Sequence, residues 1–165
     1  MGALKVLAIE TATTALSVAV LEGERTVARA AQDATGQHAK YLVPAIEGVL
    51  QASGWALSGL DGLAVSGGPG SFTGLRVGLA TAIGFRLVSG LPLAVVPSLE
   101  AMAWNVRGAD RILCPVFKAR AGEVYWAFYQ WTASGTLRRL AEERVGSFDM
   151  LAESLHDRAI VFGEG

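Results

Sequence analysis

Ser66-Gly67-Gly68-Pro69-Gly70-Ser71-Phe72-Thr73-Gly74 is the stretch on which the reading of the fold depends. A short apolar run, Gly62-Leu63-Ala64-Val65, leads into it after Gly59-Leu60-Asp61. A long apolar run follows it to Ser89, where Gly90 and Pro92 supply stop signals. The spacing predicts a strand, a glycine-rich turn, a helix over 73–89 and a buried-type strand over 93–96. Such a turn aims backbone N–H groups and the positive end of a helix at one spot, which suits an anion. The plainer reading is a tight crossover whose glycines allow close packing. The motif is neither Walker A, since no Gly-Lys-Ser/Thr follows, nor a G-x-G-x-x-G fingerprint, and spacing leaves both readings open. Ser71 or Thr73 is placed to cap the helix.

Outward from this turn, apolar alternation predicts strands over 4–9, 16–21 and 25–31, an antiparallel meander. A helix is expected over 38–53 from the stripe Tyr41, Leu42, Ala45, Ile46, Val49 and Leu50. Pro44 lies inside it, so the regular helix either begins there or kinks. Beyond the 93–96 strand, Ser98 is expected to cap a helix reaching about residue 106. The order β-β-β-α-β-α-β-α is an α/β layer architecture, with a meander entering a mainly parallel sheet. A second unit is expected after Gly108, giving domains 1–107 and 108–165. It should hold strands over 112–117, 123–131, 136–140 and 159–162, and a helix over 147–155 capped by Ser147. The ending Gly163-Glu164-Gly165 reads as a strand running into a turn, so the second unit is expected to be incomplete.

The chain has 165 residues, 52% apolar and 18% charged, with 14 basic and 15 acidic side chains. That balance excludes wholesale disorder and argues against strong whole-protein attraction for nucleic acid. Cys114 is the one cysteine, so no intramolecular disulfide or Cys-rich zinc site can form. Its apolar setting points to a buried structural thiol. His38 and His156 are far apart, and no H-E-x-x-H motif supplies a metal site. No segment reads as membrane-spanning or as a secretory leader, and a cytoplasmic protein is expected.

Residues that can carry chemistry are few. Glu10 ends the first strand and is followed by Thr11, Ala12, Thr13 and Thr14. A carboxylate there can position a metal-bound phosphate, and the hydroxyls can touch it; a β-turn with a solvated Glu is the plainer reading. Gly74, Gly78 and Ala82 place a small residue every fourth position on one helix face, open to a core or to a partner. Lys118-Ala119-Arg120-Ala121-Gly122-Glu123 is a hairpin with exposed charges or an anion contact. Tyr125, Trp126, Phe128, Tyr129 and Trp131 read mainly as packing, with a base-stacking platform as the minor alternative.

Together, Leu7-Ala8-Ile9-Glu10-Thr11-Ala12-Thr13, the glycine-rich stretch continued by Leu75-Arg76-Val77-Gly78-Leu79-Ala80-Thr81-Ala82, and Arg120-Ala121-Gly122-Glu123-Val124-Tyr125-Trp126-Ala127 resemble the TsaB (YeaZ) family, in order along the whole chain. The resemblance implies an actin/hexokinase/Hsp70-like (ASKHA, ribonuclease H-like) two-lobe fold, with family members continuing past Gly165. It implies a non-catalytic scaffold in the synthesis of N6-threonylcarbamoyladenosine (t6A) at adenosine 37 of tRNA. The implied partners are the metal-containing paralogue TsaD, which performs the transfer, and the small ATPase TsaE. A homodimer is expected in isolation, and tRNA is met only through the complex. No catalytic residue, metal or cofactor is expected on this chain, with ATP or ADP at the level of the complex.

The resemblance also places a vestigial nucleotide or phosphate site at Glu10, Thr11, Thr13, Gly68, Gly70 and Ser71. It places a dimer interface on the first two helices, at Tyr41, Leu42, Ile46, Gly74, Gly78, Leu79 and Ala82. A charge at Gly78 or Leu79 is then expected to break pairing without unfolding the lobe. Three departures matter. Glu10-Thr11-Ala12 replaces the Asp-x-Gly of a sugar-kinase-like phosphate hairpin. His38 is the one histidine where TsaD-type catalysis needs metal-ligating histidines. Lys118 stands where the family's third motif usually has Asp. The first two argue against independent nucleotide chemistry. The alternatives are an independent ASKHA-type ATPase or M22-like peptidase, and a binding module outside tRNA modification.

Overall fold

The structure, a computed structural model, describes residues 2–155 and 159–164, so His156 lies outside the described residues. Contacts divide the chain into two units, Met1–Val96 and Pro97–Gly165.

In the first unit, period-two alternation turns one face of each inner strand to the core. Leu7 and Ile9 of β1 (Lys5–Glu10), Leu16, Val18 and Val20 of β2 (Ala15–Glu22), and Leu63 and Val65 of β4 (Gly62–Ser66) are all buried. With β3 (Arg25–Asp33) and β5 (Leu93–Val96) these form a sheet of order β3-β2-β1-β4-β5. The β3-β2-β1 part is antiparallel and β1-β4-β5 is parallel, as the meander reading requires. Helix α1 (His38–Ser53) sets Leu42, Ile46 and Val49 into this core. Its apolar stripe is therefore spent on its own sheet. The helix does not start at Pro44 but at His38. Pro44 removes the N–H that would bond the Lys40 carbonyl, and both residues are exposed, where water can serve that carbonyl. Helix α2 (Phe72–Ser89) buries Gly74, Gly78 and Ala82.

The second unit is built on β6 (Leu113–Lys118), whose side chains alternate between two clusters. Leu113 and Phe117 join Leu99 and Ala103 of α3 (Ser98–Ala103) on one face. Cys114 and Val116 join Trp126 and Leu151 on the other. This packing explains two departures from the sequence reading. The contact division falls after Val96, ahead of the expected residue 107, because α3 spends Leu99 and Ala103 on the second core. Pro97 rather than Ser98 is the cap residue of α3, and Ser98 is buried inside it.

The run 123–131 forms two strands, β7 (Glu123–Trp126) and β8 (Tyr129–Trp131), in one register against β6. Val116 faces Trp126 and Leu113 faces Tyr129. The gap lies opposite Cys114-Pro115, where proline has no N–H for the ladder. β9 (Leu137–Arg139) pairs with β8, and the unanticipated edge strand β10 (Arg144–Ser147) pairs with β7. Ser147 caps α4 (Phe148–Ser154) as expected, its Oγ accepting from the Met150 N–H at 3.3 Å. β11 (Ile160–Glu164) runs parallel to β6. Cys114 is wholly buried and burial pushes its thiol up to about 12, so it is inert near neutrality. Among the described residues no helix is long and apolar enough to cross a membrane.

Candidate functional site

The β1–β2 turn and the glycine-rich loop close on each other. Ser71 N–H donates to the Ala12 carbonyl at 2.6 Å. A Cβ on Gly70 would strike the Ala12 carbonyl and side chain; one on Gly74 would strike the Thr11 carbonyl; one on Gly78 would strike Thr11 Oγ1. The small-residue face of α2 is therefore the seat of the β1–β2 turn. Thr11 is fully buried in that seat, and its Oγ1 has no hydrogen-bond partner. Ser71 is the N-cap of α2, its Oγ accepting from the Gly74 N–H at 3.2 Å.

Glu10 does not extend into solvent. Its carboxylate turns back to accept from the Ala12 N–H, and the Thr11 amide and Ser66 hydroxyl also donate to it. The Thr11 N–H in addition lies 3.2 Å from Ser66 Oγ. Burial raises the carboxyl pKa; the bonds from Ala12, Ser66 and Thr11, then the charge of His38, oppose that rise. The amides of this turn thus already have their acceptor, a carboxyl group supplied by the chain itself. The Ala12 Cβ further fills the space against Gly70, where an Asp-x-Gly hairpin would leave it open.

The residues expected to form one phosphate site fall into two groups. Glu10, Thr11, Gly68 and Gly70 belong to the closed seat, with Gly68 at φ +98° beside Leu75. Thr13 and Ser71 instead line a cavity of about 190 Å³, with Thr14, Thr35, His38 and Thr73. His38 Nε2–H donates to the Thr13 carbonyl at 3.0 Å. Asp33, whose carboxyl is held below its ordinary value chiefly by the Thr35 hydroxyl, accepts that hydroxyl at 2.7 Å. Among the described residues no group of three His, Cys, Asp or Glu side chains is placed to hold a metal ion. Arg120 pairs with Glu123 at 3.4 Å across an exposed hairpin, the plain reading of that loop. Trp126, Phe128 and Tyr129 are buried, as the packing reading expected.

Most of the residues expected at the interface are spent on the first unit's own packing. Leu42, Ile46 and Ala82 belong to the first unit's own core, and Gly74 and Gly78 are buried against Thr11. Tyr41 and Leu79 are partly buried against the same core. Leu42, Ile46, Gly74, Gly78 and Ala82 are thus buried, and Tyr41 and Leu79 keep partial exposure. The available surface of α2 lies on its other side. Phe72, Ile83 and Leu87 share that face, at 74%, 47% and 80% exposure. α1 and α2 pack side by side, and α1 adds Val43, exposed at 42%. The sequence carried part of this signal: Phe72, Ile83 and Leu87 fall on the face opposite the small residues, with Arg76 among them, its guanidinium 5.4 Å from the Phe72 ring centroid.

Comparison with known proteins fits this frame. The family model described as "TsaD: tRNA N6-adenosine threonylcarbamoyltransferase" matches residues 30–160. The tRNA threonylcarbamoyladenosine biosynthesis protein TsaB of Escherichia coli K12 is 38% identical over 158 residues, covering 94% of this chain and 66% of that protein. The TsaB of Bacillus subtilis 168 is 31% identical over 161 residues, covering 95% and 69%. The chain thus spans about two thirds of the length of these relatives. A Pseudomonas aeruginosa crystal structure, described as similar to the peptidase YeaZ, superposes with a TM-score of 0.83 at 32% identity, covering 97% of this chain and 74% of that one. At the level of fold alone, ROK hexokinase from Thermus thermophilus gives a TM-score of 0.50 at 13% identity. With this topology and these relatives, the chain belongs to the TsaB (YeaZ) family, on an α/β fold of the actin/hexokinase/Hsp70-like type.

Proposed function

We propose that this chain is a non-catalytic subunit in t6A synthesis, and that it activates a TsaD-type transferase by pairing through the outer face of α2. The observation that carries this reading is the exposed apolar side chains Phe72, Ile83 and Leu87 on one face of α2. A stripe of that kind on a folded unit is what a helix-to-helix interface requires. The self-occupied turn at Glu10 supports the non-catalytic half, since an incoming phosphate finds the amides taken by the chain's own carboxyl group. The relatives named for threonylcarbamoyladenosine biosynthesis supply the reaction. In this reading a TsaE-type ATPase joins the pair, two copies associate through the same face when TsaD is absent, and tRNA and nucleotide are engaged by the assembly.

The test is a transfer assay with tRNA, threonylcarbamoyl-adenylate and a TsaD-type paralogue. This chain alone is expected to transfer nothing, and to raise transfer by the paralogue at least tenfold. Transfer by this chain alone, or metal-dependent ATP hydrolysis that Glu10→Ala abolishes, would instead make it an enzyme.

A further inference from the structure

We propose that Arg76 selects the partner of α2: the outer face of this helix takes an apolar helix that brings a carboxylate to Arg76, in preference to a second copy of this chain. Arg76 is exposed and lies within the apolar face, since Phe72, Arg76, Ile83 and Leu87 follow the i, i+4, i+11, i+15 spacing of one helix stripe. Its guanidinium lies 5.4 Å from the Phe72 ring centroid, so the charge is held on that face by the ring. Arg76 makes no ion pair with any described residue. A partner that covers Phe72, Ile83 and Leu87 must therefore cover Arg76 as well. Covering a guanidinium without a counter-charge is costly.

The charges of the two helices decide which partner meets that need. Helix α2 carries Arg76 and Arg86 and no acidic residue. Self-pairing across a two-fold axis sets this face against itself, which brings two copies of Arg76 to one contact and no carboxylate from α2. The neighbouring helix α1 has a single carboxylate, the exposed Glu47. A different apolar helix with an Asp or Glu on its contact face supplies the missing charge, and a planar guanidinium takes a carboxylate through two N–H groups at once. Repulsion in one pairing and attraction in the other set the two affinities apart. A nucleic-acid backbone would satisfy Arg76 but leave Phe72, Ile83 and Leu87 in water. This inference rests on the pairing through α2 proposed above, and adds the charge that the partner must bring.

The experiment is sedimentation analysis of two affinities, that of this chain for a TsaD-type paralogue and that for itself, each at low and at high salt. The heterodimer should weaken as salt rises, and the self-pair should tighten as like charges are screened. Arg76→Gln keeps a long polar stem without the charge. It should weaken the heterodimer about tenfold and remove most of its salt dependence, while tightening the self-pair severalfold. Arg76→Lys keeps the charge and should keep both salt dependences. Arg76 is exposed, so both variants should unfold as the parent does. A heterodimer that Arg76→Gln leaves unchanged would overturn the proposal. So would a self-pair that Arg76→Gln and Glu47→Gln both weaken, since Arg76 would then be held by Glu47 of the second copy. Binding of tRNA to this chain alone, abolished by Arg76→Gln, would assign the face to RNA and overturn it too. A parent that ignores the paralogue would sink the pairing reading and this inference with it. A heterodimer indifferent to Arg76→Gln would remove this inference alone.

Discussion

Gly78→Arg is expected to unfold the first unit, with a loss of about 4 kcal/mol or more. The new Cβ lands on Thr11 Oγ1, and Thr11 is fixed by its place at the end of β1 and by its complete burial. The guanidinium would have to leave through a close-packed seat or stay buried without a partner, and neither route is cheap. Gly78→Ala poses the steric part alone and should cost about 1–3 kcal/mol. Leu87→Glu, on the exposed face of the same helix, should change stability by no more than about 0.5 kcal/mol. Urea unfolding of the three variants separates seat from surface. A Gly78→Arg protein as stable as the parent would mean that α2 does not rest on the β1–β2 turn.

Glu10→Ala is the second large effect, expected to cost about 2–3 kcal/mol. It leaves the Ala12 and Thr11 amides and the Ser66 hydroxyl without the oxygen they share. Glu10→Gln keeps an acceptor there and separates hydrogen bonding from charge. Burial raises the carboxyl pKa in the folded chain, so the folded state favours the protonated form. The stability this contributes is fully present below the unfolded pKa, about 4.3, and is lost as pH rises through the raised folded value. Relative to the parent, Glu10→Gln should therefore gain stability between about pH 4 and neutrality. Unfolding of both proteins at the two ends of that window measures the difference. A difference independent of pH would show that the carboxylate is not held out of water.

The first unit was legible in the sequence because its signals are local. Alternation in β1, β2 and β4 and the i, i+4, i+7 spacing of Leu42, Ile46 and Val49 each point to one buried face. The run 123–131 was less legible, since its break is set by Pro115 on the neighbouring strand and not by any residue within it. β10 was missed because an edge strand of Arg144, Val145, Gly146 and Ser147 offers one apolar side chain. The site shows the same division. The glycine spacing correctly marked a close approach, but whether a partner or the chain's own turn fills it is a tertiary fact about Thr11. Likewise, nothing in Glu10-Thr11-Ala12 tells that the carboxylate folds back onto its own amides.

The most direct measurement is light scattering after size exclusion of this chain mixed with a TsaD-type paralogue, run beside Leu87→Glu and Ile83→Glu. The expected result is a one-to-one heterodimer for the parent, weakened at least tenfold by either substitution, while the variants stay folded. Burying a carboxylate against an apolar partner face costs enough to produce that loss. A heterodimer that both variants form as well as the parent would place the interface elsewhere. A parent chain that ignores the paralogue would contradict the partner-subunit reading itself.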